Sequence, residues 1–274
     1  SPVKVHAEGR GLPVHQPERA RAKEFVRLIA DLAPDVLAVV AYGQILPTSV
    51  LSIPTHGALN VHPSLLPKYR GAAPVQWALW NGDATTGVTV MQLDKGEDTG
   101  PLVRQQQTAI DSEETAVELM ARLAGLGAEM LVDVVARLPA DGLTTTPQDD
   151  AASTRAPRLT REMGVVDWTL SATAIHNRYR ACVPWPGALA TLTDGEALRI
   201  KGCRPVERDV ADRPGVILVE QGRMFTQTGQ GSLELLLVQP ANRAAMDIAG
   251  YLNGLRGEAP DGFQLAPVVA DTHS

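Results

Sequence analysis

The feature that most restricts the fold of this 274-residue chain is a change of hydrophobic rhythm near its middle. In the first half, helix-like and strand-like stretches alternate. Phe25, Leu28, Ile29 and Leu32 recur at helical spacing and give residues 19–33 a one-faced apolar stripe, closed by Pro34-Asp35. Residues 36–41 follow as a continuous apolar run, the pattern of a strand buried on both faces of a parallel sheet. Residues 12–15 read as a short strand ahead of them. Residues 58–62 read as the next strand, and 72–80 as a helix stopped by Asn81-Gly82. This order predicts an α/β fold with a parallel sheet. The short joint DKGEDTG between apolar stretches 87–93 and 102–110 predicts an antiparallel addition to it. A long helix rich in Ala, Leu and Met follows over 113–138, with Gly125 and Gly127 as its weak points.

The second half has another period. After a polar stretch without periodicity, residues 171–181 read as a short helix. Five short strands then follow at 188–193, 197–201, 216–220, 223–228 and 232–238, separated by Asp194-Gly195, Gln221-Gly222 and GQG turns. Strands this short with turns this tight predict a small β-barrel. The expected division is therefore a first domain at 1–140, a linker at 141–162 and a second domain at 163–274.

Composition excludes several classes. There is no run of about 18 apolar residues that would span a bilayer. Cys182 and Cys203 form no CxxC and no disulfide framework, which fits free thiols in a reducing cytoplasm. A net charge of −6 argues against bulk non-specific binding to nucleic acid and leaves room for a local basic patch. The six histidines show no metal-ligand spacing, and neither a P-loop nor a GxGxxG occurs.

Chemistry concentrates in ALNVHPSLLP, residues 58–67. Strand side chains alternate, so Asn60 and His62 project from one face, and Pro63 ends the ladder. Ligands of open parallel sheets collect beyond the carboxyl ends of strands, where this pair lies. Asp98, in a Gly-flanked turn after the following strand, is placed to face the same crevice. An amide, an imidazole and a carboxylate suit attack on a carbonyl. Asn60 and His62 would stabilise the oxygen as it becomes anionic, and Asp98 would manage protons. On pattern alone the same residues also read as a turn-capping Asn, a satisfied core His and an ordinary turn Asp. Ser64 beside His62 suggests a Ser–His hydrolase, but no GxSxG accompanies it.

The run ALNVHPSLLPKYRGAAPVQWALWNGDATTGVTVMQLDKGEDTGPL, with VAYGQILP before it and VVDW and WPGA after it, resembles the signature region of the 10-formyltetrahydrofolate-dependent formyltransferases. The resemblance implies a Rossmann-like formyltransferase domain joined to an OB-like barrel, with Asn60, His62 and Asp98 as the catalytic trio. It implies a tetrahydrofolate site against Ser64, Leu65, Leu66 and Pro67, and 10-formyltetrahydrofolate as a co-substrate without a metal. The acceptor it favours is the α-amino group of initiator methionyl-tRNA, handled by a cytoplasmic, monomeric enzyme with no membrane partner. Rivals are a UDP-amino sugar as acceptor, hydrolysis of the donor by water, and a non-catalytic RNA-binding protein of the same fold. Arg155, Arg158, Arg161, Arg178, Arg180, Arg199, Lys201 and Arg204, with Lys68 and Arg70, would form the track for tRNA phosphates.

Two departures from the family pattern stand out. Glu97 takes the place of an apolar residue before Asp98. The text at Ser1 reads like the middle of a domain, where family members open with a strand–helix–strand unit carrying a basic loop. The expectation is an N-terminally incomplete sheet with an exposed edge and weakened tRNA affinity.

Overall fold

A computed structural model of the chain describes residues 1–255 and 259–266. The chain opens with helix α1 (Pro2–Gly9), where the Ser1 hydroxyl accepts from Lys4 N at 3.4 Å and Pro2 sits in the first turn. The strand expected at residues 12–15 is not there; the segment lies outside any ladder. Helix α2 (Lys23–Leu32) carries the Phe25, Leu28, Ile29 and Leu32 stripe. It ends at Ala33 in the left-handed region, with Pro34 unable to continue it. Strand β1 (Leu37–Val39), the one-turn helix α3 (Thr48–Leu51), strand β2 (Ala58–His62) and helix α4 (Pro74–Trp80) follow.

Strands β3 (Thr85–Gln92) and β4 (Leu102–Ala109) complete a sheet of order β1-β2-β3-β4. β1 and β2 run parallel and β2 and β3 antiparallel, so the sheet has a parallel part and the antiparallel addition expected after it. The expectation of a doubly buried strand at 36–41 also needs correction. β1 pairs over three residues at the edge of the sheet, and Val40 is 59% exposed. Helix α5 (Ala116–Asp141) runs unbroken through Gly125 and Gly127. Leu119, Leu123, Met130, Val134 and Leu138 are buried along it, so packing offsets the glycines.

The chain forms two compact units. One comprises Ser1–His62, Thr89–Gln105 and Gly127–Ala151; the other comprises Pro63–Val88, Gln106–Leu126 and the described residues from Ala152 on. Within the first unit, the polar stretch expected to be a plain linker is tied down. Leu102 and Thr146 exchange two backbone hydrogen bonds of 2.8 Å.

The second unit holds helix α6 (Ala172–Cys182), capped by the Ser171 hydroxyl, and a sheet. Strands β5 (Ala188–Thr191), β6 (Ala197–Val206), β7 (Ile217–Glu220), β8 (Arg223–Gln227) and β9 (Ser232–Pro240) lie in the order β5-β6-β9-β8-β7. Strand β10 (Met246–Asp247) adds to β9, and helix α7 (Ile248–Asn253) follows. β5 and β7 do not pair, so the expected barrel is not closed by its strands among the described residues. Instead residues 261–264 bond to both edges: Ile217 N donates to Asp261 O at 2.9 Å and Gln264 N to Thr191 O at 2.8 Å. The core beneath centres on the fully buried Trp168, stacked on Phe263 with centroids 4.8 Å apart, among Leu198, Leu233 and Leu235. Cys182 and Cys203 are buried free thiols, and burial pushes that of Cys182 up to about 12. No helix among the described residues is long and apolar enough to cross a membrane.

On this sheet, Glu234 is buried and accepts from Arg204 Nε at 2.6 Å and from Arg223 Nε and Nη2 at 2.7 Å. Arg223, and with it Arg204, holds the carboxyl below its ordinary value against the opposing effect of burial. A carboxylate depressed in the folded state contributes stability that is full above about pH 4.5 and lost as pH falls through the folded value. Glu234→Gln is expected to destabilise the protein at pH 7 by about 2 kcal/mol, the scale of hydrogen bonds to a charged group. In thermal denaturation at stepped pH, the gap between variant and wild type is expected to narrow on acidification below that value.

Candidate active site

Asn60 and His62 are two residues apart on β2 and therefore share a face. The register fixes which face. Asn60 lies opposite Met91 and His62 opposite Thr89 on β3, while Val39 of β1 lies beside Asn60. His62 is buried, as is Thr89, whose hydroxyl accepts from Gln105 Nε2 at 2.9 Å. Past Gln92 the ladder continues for one more bond, from Leu93 N to Ala58 O at 2.7 Å. The chain then enters the turn that carries Asp98.

Asp94 organises the front of that turn. Its Oδ1 accepts from Gly96 N at 2.9 Å and from Thr99 Oγ1 at 2.8 Å, a side chain standing in for a backbone turn. The back returns against β3, where Gln92 N donates to Pro101 O at 2.9 Å. A Cβ at Gly100 would collide with the Gln92 carbonyl oxygen, so only glycine fits this approach. Asp98 itself has φ +55°, in the left-handed region. The result is a distance of 3.6 Å between His62 Nδ1 and Asp98 Oδ2, with the two side chains 5% and 16% exposed. An imidazole whose Nδ1 faces a carboxylate has a fixed ring orientation, with Nε2 on its far side. Glu97 is exposed.

The structure thus brings His62 and Asp98 together and sets Asn60 on the face of β2 that His62 shares. Beside β1, a cavity of about 190 Å³ is lined by Phe25, Ile29, Val39, Val40, Tyr42 and Val50. It is apolar, and the turn beyond it contains Ala41 and Gly43, both at positive φ.

Ser64, Leu65, Leu66 and Pro67 belong to the second unit and are braced within it. The Ser64 hydroxyl donates to Lys68 O at 2.6 Å and the side chain is fully buried, the place of a loop brace rather than of an attacking nucleophile. Thr154 N donates to Pro67 O at 3.3 Å, and Arg70 N donates to Thr154 O and Ala156 N to Arg70 O, both at 2.8 Å. Asp83 Oδ2 accepts from Lys68 Nζ at 2.7 Å and from the Tyr69 hydroxyl at 2.8 Å. Partial burial works to lower the Lys68 ammonium, but the hydrogen bond to Asp83 and the charges of Tyr69 and Asp83 leave it raised. Burial likewise raises the Tyr69 phenol.

The basic track needs correction at two positions. Arg180 is buried, and its Nη1 donates to Asp111 O at 3.1 Å and Glu114 O at 3.0 Å, so it joins elements instead of facing solvent. Arg70 is 6% exposed. Lys68, Arg155, Arg158, Arg161, Arg199, Lys201 and Arg204 are exposed, and Arg178 lies 4.5 Å over the Trp80 ring. No group of three or more His, Cys, Asp or Glu side chains able to hold a metal occurs among the described residues. Sequence reasoning missed Gln148, whose Nε2 donates to Asp98 O at 2.8 Å and Gly100 O at 2.7 Å. It sits in an aperiodic polar stretch and carries no local signal.

Residues 1–135 match the family model described as formyl transferase, and residues 158–256 the one described as formyl transferase, C-terminal domain. A methionyl-tRNA formyltransferase of Solibacter usitatus is 45% identical over 93% of this chain and 82% of its own length. That of Geobacter metallireducens is 43% identical over 94% and 82%. Among solved structures, HypX from Aquifex aeolicus in complex with tetrahydrofolic acid superposes with TM-score 0.63, at 17% identity over 88% of this chain and 45% of its own. An N-formyltransferase from Helicobacter canadensis, in complex with folinic acid and dTDP-3-aminofucose, gives TM-score 0.64 at 16% identity, over 86% and 81%. These distant structures share the fold. The two family regions in succession, together with relatives matched over more than nine-tenths of the chain, establish that it belongs to the formyl transferase family.

Proposed function

We propose that the protein transfers the formyl group of 10-formyltetrahydrofolate to the α-amino group of methionine esterified to initiator tRNA. The observation that carries the chemistry is the pair His62 and Asp98, 3.6 Å apart, beside Asn60 on the same face of β2. The acceptor is supported by relatives at 43–45% identity that are named methionyl-tRNA formyltransferase. Tetrahydrofolate or a formylated folate occupies distant members of the fold.

In this reading the amine attacks the formyl carbon and the carbonyl oxygen becomes an oxyanion. Asn60, through its amide, and His62, through a ring N–H, donate to that oxygen. Asp98 accepts the proton that the attacking nitrogen must lose, directly or through a water, and the proton returns to the folate nitrogen as it leaves. The bond formed is N–C to the methionine amine, and the bond broken is C–N to the folate, so no oxidant or metal enters the balance. The apolar cavity beside β1 supports a seat for a flat ring, and the braced loop Ser64, Leu65, Leu66 and Pro67 supports a rigid wall for the folate.

The sheet of the second unit, whose two edges share the segment 261–264, supports an OB-like reading, and its exposed arginines support a track for tRNA phosphates. The division into catalytic residues 1–140, a joint at 141–162 and a tRNA-facing domain at 163–274 belongs to the same proposal. So does a cytoplasmic monomer, which the free buried thiols Cys182 and Cys203 suit.

The test mixes protein and formyl donor with methionyl-tRNA, with a UDP-amino sugar, or with water alone. Rapid formylation of methionyl-tRNA is expected, and turnover confined to the sugar or to water rejects the assignment. Asn60→Ala and His62→Ala are each expected to lower the single-turnover rate by roughly 10²–10³, the loss typical of one oxyanion donor. Asp98→Asn is expected to lower it by about 10²–10⁴, the range of a positioned acid–base group. Wild-type rates in these variants would remove the trio from the mechanism.

Exposed Arg155, Arg158 and Arg161 differ from buried Arg180 in a measurable way. Alanine at the three exposed positions is expected to raise KM for tRNA and to flatten its dependence on salt by about one log–log unit for each phosphate no longer neutralised. Arg180→Ala is expected to lower the melting temperature instead.

A further inference from the structure

Asp98 holds φ +55°, a conformation that a residue with a side chain keeps only where its surroundings over-determine it. Asp94 and Gln148 both bond to the turn. Asp94 secures the front half through Gly96 N and Thr99 Oγ1, from within the turn itself. Gln148 reaches it from fifty residues downstream of Asp98. Its Nε2 donates one proton to Asp98 O at 2.8 Å and the other to Gly100 O at 2.7 Å, spanning the carbonyls on either side of Thr99.

Gln148 is not delivered there by a loose linker. The reciprocal Leu102–Thr146 backbone pair fixes the chain two residues before it, at the start of β4. Gly100, which no side chain can replace against Gln92 O, keeps the far end of the turn pressed on β3. The amide of Gln148 thus bonds to both carbonyls of a turn in which the Asp98 backbone is left-handed and its carboxylate faces His62 Nδ1.

We propose that Gln148 is a positioning residue for the reaction: through the backbone of residues 98–100 it sets where the Asp98 carboxylate points. The inference rests on the reading of Asp98 as the group that takes the amine proton. A displacement of about 1 Å in such a group is enough to lower a rate by about 10²-fold.

Gln148→Glu tests it, because it keeps the shape of the side chain and replaces the donor with oxygens that repel both carbonyls. Gln148→Ala serves as a second variant in which the side chain is absent. Single-turnover formylation of methionyl-tRNA is expected to slow between about 10- and 100-fold in both variants, with KM for donor and acceptor close to wild type. Placed on Asp98→Asn, Gln148→Glu is expected to add no further loss, because the carboxylate it positions is already gone. A wild-type rate in Gln148→Glu overturns the inference. So does a loss that multiplies undiminished onto that of Asp98→Asn, or a loss explained wholly by a smaller folded fraction. An inactive Asp98→Asn beside a fully active Gln148→Glu removes this inference alone, whereas a fully active Asp98→Asn removes the reading of the site and the inference with it.

Discussion

The ladder between β2 and β3 decides what chemistry this protein can hold. Its register puts Asn60 opposite Met91 and His62 opposite Thr89, and the bond from Leu93 to Ala58 carries the pairing past the end of β3. A slip of one residue would turn the amide and the imidazole to the other face and bring Leu59 and Val61 in their place. The same register determines where the chain leaves β3, and therefore where residues 93–101 return. The site is thus assembled by one antiparallel pairing, with two members, Asn60 and His62, contributed from within a strand and the third, Asp98, from the turn that follows its neighbour.

That turn is short, glycine-flanked and sterically exacting. Asp94 replaces backbone partners at its front, Gly100 permits close approach at its back, and Gln148 bridges two of its carbonyls. Backbone carbonyls without partners are unfavourable when removed from water, so each of these interactions both stabilises the turn and narrows its freedom. The same logic appears at residues 64–70, where Ser64, Asp83 and Tyr69 hold a second loop in one conformation. Rigid surroundings of this kind are what preorganised donors require, since a donor that must reorient during the reaction stabilises the oxyanion less.

How much of this can be read from the letters depends on how local the determinant is. β2, α6 and the strands from 188 on are legible because alternation, an N-cap serine and turns such as Asp194-Gly195 act over a few residues. The apolar run 36–41 declares hydrophobicity but not position; at the edge of a sheet only Leu37–Val39 finds a partner. Residues 12–15 offer a strand pattern and pair with no strand among the described residues. α1 buries no residue and so lacks a hydrophobic signal, and Ser1-Pro2 is its one recognisable mark of a helix start. Asn60, His62 and Asp98 are identifiable as candidates from residue type and placement, and their convergence needs coordinates. Gln148 and Arg180 are illegible for a shared reason. Each is a polar residue defined by carbonyls about 50 to 70 residues away, at 98 and 100 or at 111 and 114. Nothing in a one-dimensional pattern separates a basic residue that braces the interior from one that meets a phosphate.

The central claim is that Asn60, His62 and Asp98 converge on one reacting carbon. The most direct measurement is a crystal structure of the protein with 5-formyltetrahydrofolate, a stable relative of the donor. The account expects the formyl oxygen within about 2.7–3.1 Å of the Asn60 amide nitrogen and a ring nitrogen of His62, with the Asp98 carboxylate on the side from which an amine would approach. A formyl group seated away from β2, or one whose oxygen meets neither Asn60 nor His62, would contradict it.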